Sequence, residues 1–493
     1  MVALSDFEFK SSYNKIDHNI ADEFYLPCMR NAIQYDRITG YFSSSIYIIA
    51  WDALKEFINN QGKIRILCSP FISEDDARAL TSGNQAKSDQ IIKQTMIDEL
   101  QRMLDSAYLE KPSRLLACLI SNGTISIKLA VPIEYSHPVI RQLFHDKVGV
   151  FFDDQGNKVG FRGSLNETYS GLSNDGNIES VDVFQSWDGG KEAVRADEVA
   201  DLFERIWSGK TTTTLLYELP PSIREHLNYM AKDVIWRDLL DEVKQEIKKC
   251  NKWLPKSNDR KKRVLRLHQF AALEAWVANG RCGIFEHATG SGKTFTAICA
   301  IRDALIREKS VIVLVPSVGL LEQWKIEIKK IITDIKVDYL ICSSGYSNWR
   351  KSGVLNVWTA PGTNRNTIVV ATMDTAAGET FMKGITQGDH LLVVVDEVHR
   401  IGSVRRARFL TVKAGEKLGL SATPIRYGDP KGTAAIMNYF GGVVKPVYSL
   451  KDAIHDGVLT KYFYYPKLIH LSQLEQDEWN NLTKQINRLY AQL

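Results

Sequence analysis

The stretch Glu286-His-Ala-Thr-Gly-Ser-Gly-Lys-Thr294 decides how this chain is read. Cys282-Gly-Ile-Phe285 leads into it as a short apolar run, so the local order is buried strand, glycine-rich turn, helix. That order cradles a phosphate chain. Gly290 and Gly292 let backbone N–H groups come close to the phosphates, with Thr289 and Ser291 filling the loop between and beside them. Lys293 is placed to reach the β and γ phosphates, and the Thr294 hydroxyl is placed for Mg2+. ATP and Mg2+ are the cofactors this implies. His287 stands where the usual G-x-x-x-x-G-K-T pattern has its first glycine.

Downstream, Leu391-Leu-Val-Val-Val-Asp-Glu-Val-His399 has the composition of a buried parallel strand and ends in two acids. Asp396 is placed to hold Mg2+ and Glu397 to polarise an attacking water. In Leu420-Ser-Ala-Thr-Pro424, the hydroxyls of Ser421 and Thr423 are suited to sensing a γ phosphate.

Together these segments resemble superfamily 2 helicases and translocases. Ala288 to Thr294 matches motif I, Asp396 to His399 motif II and Ser421 to Thr423 motif III. Gln269 resembles the Q-motif glutamine that reads adenine, and Val311 to Ser317 with Leu321, Gln323 and Trp324 looks like motif Ia. Ile368 to Thr372 looks like the strand after it. The resemblance implies a RecA-like parallel-sheet P-loop domain over residues 261–470, gripping nucleic acid through its phosphates. Tyr439 to Val444 and Ile454 to Leu459 resemble the connector of the restriction-type branch, which implies DNA as partner, with RNA left open. No Q-x-x-G-R-x-x-R pattern occurs. A second lobe carrying the arginine finger is therefore expected from a longer chain or a partner, residues 471–493 being the start of a truncated region, with weak ATPase activity meanwhile.

Upstream, strands alternate with helices, which argues for an α/β domain over residues 1–210. Phe144-His-Asp-Lys-Val-Gly-Val-Phe-Phe152 reads as a strand, with His145 and Lys147 on one face because side chains two apart share it. Lys158 to Glu167 reads as a second strand turning at Gly163, where Ser164 and Asn166 reach the same spot. These residues resemble the phospholipase D superfamily, H-x-K-x4-D followed by G-S-x-N. His145, Lys147, Ser164 and Asn166 match; Phe152 takes the place of the aspartate, which in the family is usually remote from the phosphate, and Asp153 follows one position late. Glu179 resembles a glutamate that some nuclease members carry downstream. The resemblance implies an α/β/α fold and a metal-independent phosphodiesterase with a histidine nucleophile, Lys147 and Asn166 neutralising the developing charge. The family normally pairs two H-x-K units, so a homodimer through the N-terminal domain is implied.

Between the two, Thr211 to Thr214 and Leu219-Pro-Pro-Ser222 read as a boundary, and Ile223 to Cys250 as a helix with a charged face. Residues 211–260 are thus expected to be a helical linker. Lys256 to Arg263 is either a solvated linker or a nucleic-acid contact, and Arg400, Arg405, Arg406 and Arg408 either line a nucleic-acid path or form a solvated face.

A length of 493 residues supports two or three domains. A net charge of +4 is too small over that length to argue nucleic-acid binding by itself. Seven scattered cysteines with no C-x-x-C suggest neither a disulfide framework nor a zinc site. Nothing approaches the run of about 18 apolar residues that spans a membrane, so a cytoplasmic location is expected. The reading is an ATP-dependent DNA helicase or translocase coupled to a phospholipase D-type nuclease, in bacterial restriction or anti-phage defence. A rival reading makes the N-terminal domain an inactive DNA-binding and dimerisation scaffold; a lipid phosphodiesterase is a third.

Overall fold

In the computed structural model the described residues are 1–40, 42–68, 94, 110–132, 147–173, 178–212, 214–255, 263–362, 365–456, 458–460, 462 and 466–492. They form two compact units, Met1–Leu459 and Thr460–Leu493. The smaller holds one helix, Gln473–Gln492.

The larger unit is built on two sheets. The first contains β1 (Ser12–Asn14), β2 (Gln34–Thr39), β3 (Lys63–Cys68), β4 (Ile125–Pro132), β5 (Val148–Phe152), β6 (Lys158–Gly163), β7 (Ser180–Gln185) and β8 (Thr214–Glu218). Their order across the sheet is β1-β7-β6-β5-β2-β3-β4-β8. β2, β3 and β4 run parallel and the other pairs antiparallel. Alternation along each strand divides the side chains between two cores. Tyr35, Ile64, Ile66 and Phe151 meet Ala50, Leu54 and Phe57 of the helix Tyr47–Asn59. Ile38, Leu67, Val148 and Val150 meet Val199 and Phe203 of the helix Gly190–Trp207. The result is an α/β/α sandwich.

Two stretches differ from the sequence reading. The threonine-rich run taken for the start of a linker passes directly into β8, which pairs with β4 and completes the sheet. Its Leu216 leans on one core and its Tyr217 on another, so three apolar side chains in five outweigh the polar flank. The run Ile223 to Cys250 is two helices, Pro221–Ala231 and Trp236–Lys252, because Asp233 between them takes a left-handed φ of 59°. Leu239 and Leu240 of the second helix are part of the N-terminal core. Gln90 to Leu104, which reads in the sequence as an amphipathic helix, falls, apart from Gln94, outside the described residues.

The second sheet is wholly parallel: β9 (Cys282–His287), β10 (Ser310–Val315), β11 (Asp338–Cys342), β12 (Thr367–Thr372), β13 (Gly388–Val395), β14 (Ala414–Ser421) and β15 (Val443–Tyr448), in the order β11-β12-β10-β13-β14-β9-β15. Helices cover both faces, Leu267–Ala278, Lys293–Ile306 and Val318–Ile331 on one side and Pro430–Phe440 with shorter helices on the other. That double burial is why β10 and β13 read as unbroken apolar runs. Because β13, β14 and β9 are neighbours, the loops after them share one edge of the sheet, where such folds bind ligands. No helix among the described residues is long and apolar enough to cross a membrane.

Candidate functional site

β9 delivers the loop 288–292 to the start of the helix Lys293–Ile306. Gly290 and Gly292 have φ of 82° and 89°, the left-handed region that glycine enters without strain. A Cβ at either would press on the end of a neighbouring side chain. A Cβ at Gly290 would meet Leu459 Cδ2 at 2.8 Å, and one at Gly292 would meet Gln269 Nε2 at 2.4 Å. Thr289 is exposed, whereas Ser291 is buried and, among the described residues, its hydroxyl has no hydrogen-bond partner. A buried hydroxyl without a partner inside a glycine loop suits an anionic ligand.

Lys293 is buried, and its Nζ donates to the carbonyls of His287 at 3.0 Å and Ala288 at 3.2 Å. Burial pushes its ammonium below the ordinary lysine range, against the pull of Glu397 and Asp396. Asp396 is buried too, and burial pushes its carboxyl up. Trp324 Nε1 opposes that by donating to Oδ2 at 2.8 Å, the Glu397 charge adds to the rise, and the Glu397 N–H donates to Oδ1 at 2.9 Å. Glu397 has a left-handed φ of 46°, a conformation that non-glycine residues rarely adopt and that recurs at functional sites.

His399 links motifs II and III: its Nδ1 lies 3.1 Å from Ser421 Oγ and 3.5 Å from Glu397 Oε2. Ser421 Oγ also accepts from the Thr423 N–H at 3.0 Å. Burial holds the His399 imidazole below its usual value, and Arg400 and Arg426 reinforce this against Glu397. Arg426, which sequence reading passed over, donates through Nη1 to the His399 carbonyl and through Nε to Asp429 at 2.8 Å. A cation, two carboxylates, a hydroxyl and a glycine loop therefore meet at one sheet edge. Lys293 would hold phosphate oxygens there, and Thr294 and Asp396 would hold Mg2+.

Gln269 lies against the phosphate loop. Its Oε1 accepts from the Arg266 N–H at 2.9 Å, and its Nε2 donates to the carbonyls of Ser291 at 3.0 Å and Gly292 at 3.4 Å. It braces the loop. His268, beside it, stacks on Tyr448 at 3.6 Å and faces the Ser291 carbonyl. Of the arginines after motif II, Arg406 is tied by two 2.8 Å bonds to Asp374, while Arg400, Arg405 and Arg408 are exposed.

In the N-terminal sheet a second group converges. The start of β5, the end of β6 and the start of β7 lie at one end of the sheet, bringing Lys147, Ser164, Asn166 and Glu179 to that end. The Gly163 N–H donates to the Lys147 carbonyl at 3.1 Å. Ser164 Oγ accepts from the Ser180 N–H at 3.1 Å, and Glu179 is buried. His145 lies outside the described residues. Asp153, one position after Phe152, is occupied otherwise: its carboxylate accepts from the N–H groups of Leu4, Gln155 and Asn157 and from Asn157 Nδ2. Burial works against its charge, but those bonds, Asn157 foremost, hold its carboxyl below the usual range.

What sequence reading missed is the support beneath Asn166. Glu167 is buried and accepts from Tyr25 Oη, from Tyr35 Oη at 3.0 Å and from Arg37 Nε at 2.9 Å. Arg37 Nη2 also donates to the Leu165 carbonyl, and the Glu167 N–H donates to Thr39 Oγ1 at 3.2 Å. The backbone on both sides of Asn166 is thus clamped from below.

Residues 262–426 match the family described as type III restriction enzyme, res subunit, so the second sheet carries a helicase-like superfamily 2 domain. The general transcription and DNA repair factor IIH helicase/translocase subunit XPB of Dictyostelium discoideum is 31% identical over 166 residues, covering 33% of this chain and 20% of that protein. The chain thus spans about a fifth of the length of the curated relative it matches. Among solved structures, the SWI2/SNF2 ATPase core of Sulfolobus solfataricus in complex with dsDNA aligns at 18% identity and TM-score 0.29, over 36% of each chain. The type ISP restriction-modification enzyme LlaBIII bound to DNA aligns at 21% and 0.32, over 41% of this chain and 16% of that one. The UvsW helicase of bacteriophage T4 aligns at 20% and 0.29, over 40% and 67%.

Proposed function

We propose that this chain is an ATP-dependent DNA helicase or translocase coupled to a metal-independent phospholipase D-type nuclease, acting in bacterial restriction or anti-phage defence. The observation that carries the motor half is the meeting of Lys293, Asp396, Glu397 and the His399–Ser421 pair at the carboxyl edge of a parallel sheet. ATP supplies the phosphate chain and Mg2+ its counter-charge; Lys293 and the loop N–H groups orient that chain, and Glu397 orients the water. Lys293→Ala should abolish nucleotide binding. Unchanged ATP affinity in that variant overturns the assignment.

The nuclease half rests on the convergence of Lys147, Ser164, Asn166 and Glu179 at one end of the first sheet. In this reading His145 of one copy attacks the phosphorus and displaces an alkoxide that His145 of the second copy protonates, water then cleaves the phosphohistidine, and Lys147 and Asn166 neutralise the developing charge. Wild type should nick plasmid DNA in EDTA and His145→Ala should not. No cutting by the wild type, or cutting that the substitution leaves intact, overturns the nuclease.

One observation favours a scaffold instead: Phe152 replaces the family's aspartate, and the Asp153 carboxylate is consumed by Leu4, Gln155 and Asn157. In that reading the N-terminal domain holds DNA and dimerises without cutting. DNA retention by a chain that never nicks would support it.

A further inference from the structure

The helix Trp236–Lys252 has its two ends in different cores. It keeps one buried stripe along its length, Leu239, Leu240, Val243 and Cys250, while Asp241, Gln245 and Lys248 are exposed. Leu239 and Leu240 are set in the core of the N-terminal sheet with Leu54 and Leu116. Cys250 and, just past the helix, Trp253 and Leu254 are set in the core of the parallel sheet with Trp276 and Ile301. Leu240 and Cys250 are roughly 15 Å apart on the unbroken helix. Polar contacts tie down both seats. On the N-terminal side, Lys111 Nζ lies 2.8 Å from Glu246 Oε1, and Lys244 Nζ lies 5.0 Å from the centre of the Trp51 ring. On the motor side, Trp253 Nε1 donates to Glu274 Oε1 at 3.1 Å. Arg302 Nη1 donates at 3.3 Å to the Lys252 carbonyl, one of those left open in the last turn of a helix. Glu274 belongs to the helix Leu267–Ala278, which carries Gln269, and Arg302 to the helix that begins at Lys293. The motor end of the bridge thus touches both helices that hold the phosphate loop.

Resting on the ATP reading above, we infer that this helix carries nucleotide occupancy from the phosphate loop into the N-terminal domain, by making the two sheets unfold as one cooperative unit. The apolar seats supply the hold, because partly exposed ion pairs such as Lys111–Glu246 add little. Between the seats the span is stiff: bending or unwinding it breaks its own ladder of backbone hydrogen bonds. Neither core therefore releases its end of the helix without disturbing the other. Nucleotide bound only by the folded motor lobe stabilises that lobe by mass action. The shared helix passes the same stabilisation to the N-terminal sheet, and loss of nucleotide loosens both together.

Native-state hydrogen exchange on the full chain tests this, read in β2 and β3 for the N-terminal sheet and in β10 and β13 for the parallel one. MgATP at about 100 times its Kd should slow the most protected amides of both sheets by about a hundredfold. A flexible Gly-Ser-Gly-Ser insert between Lys248 and Lys249 keeps both seats and removes the stiff span, so the slowing should then be confined to the parallel sheet. Leu240→Ala tests the reverse direction without nucleotide. It should speed exchange in both sheets of the uninterrupted chain, and only in the N-terminal sheet of the chain with the insert. Slowing by MgATP confined to the parallel sheet of the uninterrupted chain, or shared slowing that survives the insert, overturns the inference. If MgATP slows neither sheet, the ATP reading and the nucleotide arm of the inference fall together, and Leu240→Ala judges the bridge itself: faster exchange in both sheets upholds it, and faster exchange in the N-terminal sheet alone overturns it.

Discussion

The indole N–H of Trp324 donates to Asp396 Oδ2 at 2.8 Å across 72 positions of sequence. It connects the helix after β10 to the acid at the end of β13, and it favours the carboxylate form against burial. Trp324→Phe removes the donor and nothing else that is polar. The Asp396 carboxyl should then rise further, so Mg2+-dependent nucleotide binding should fail at a higher pH than in wild type. Binding curves for MgATP at pH 6 and pH 8 check this, with the larger loss expected at pH 6; parallel losses would refute it. The vacated volume in a site only 1% exposed should also cost about 1–2 kcal/mol of stability.

Lys293 is a cation buried at the expense of stability. Its folded-state pKa is lowered by burial, so the folded protein binds that proton less tightly than the unfolded chain. Stability from this group is therefore present above the unfolded lysine value and lost as pH falls through the folded one, and at neutral pH the cost is in force. Lys293→Met should raise the melting temperature of the ligand-free protein by about 2–4 °C. The same variant should lose the rise that saturating MgATP gives the wild type. A lower melting temperature without ligand would contradict the argument.

His287 stands at the first-glycine position of the loop pattern, buried against Phe285 at 5.6 Å and His268 at 5.5 Å. Burial lowers its pKa from 6.5 to about 4; the Pro446 carbonyl opposes this and the Lys293 ammonium adds to it. Because the folded value lies below the unfolded one, stability is intact above pH 6.5 and drains away as pH falls to about 4. His287→Phe keeps the backbone carbonyl that Lys293 uses and removes the titration. Its stability advantage over wild type should grow by ~3 kcal/mol between pH 7.5 and pH 4. Thermal unfolding across that range measures it, and a constant gap would rule it out.

The parts of the site that could be read from sequence are those whose chemistry sits at fixed spacing on an apolar strand: the loop at 288–294, Asp396 and Glu397 after β13, and Ser421 at the end of β14. Spacing along one chain segment survives folding. What stayed hidden depends on pairs far apart in sequence, such as Trp324 with Asp396 or Arg37 with Glu167, for which no local pattern exists. Gln269 stands out in the sequence, but the direction of its carboxamide is set by carbonyls more than twenty residues away. β8 escaped notice because four threonines precede its apolar residues, and its pairing with β4 is a tertiary event.

The Arg37–Glu167 pair provides the sharpest energetic test in the N-terminal sheet. The side chains are 0% and 4% exposed, so neither charge can turn to water when its partner is removed. Arg37→Met strands the Glu167 carboxylate with only the two tyrosine hydroxyls, and Glu167→Leu strands the guanidinium with the Leu165 carbonyl. Either single change should cost about 3–5 kcal/mol. The double variant leaves no orphaned charge, so it should cost less than the sum of the singles by about 2–3 kcal/mol. Urea unfolding of the four proteins, followed by tryptophan fluorescence, gives this coupling directly. Strict additivity would mean that the two groups act independently, and that the clamp on both sides of Asn166 is held by its other bonds.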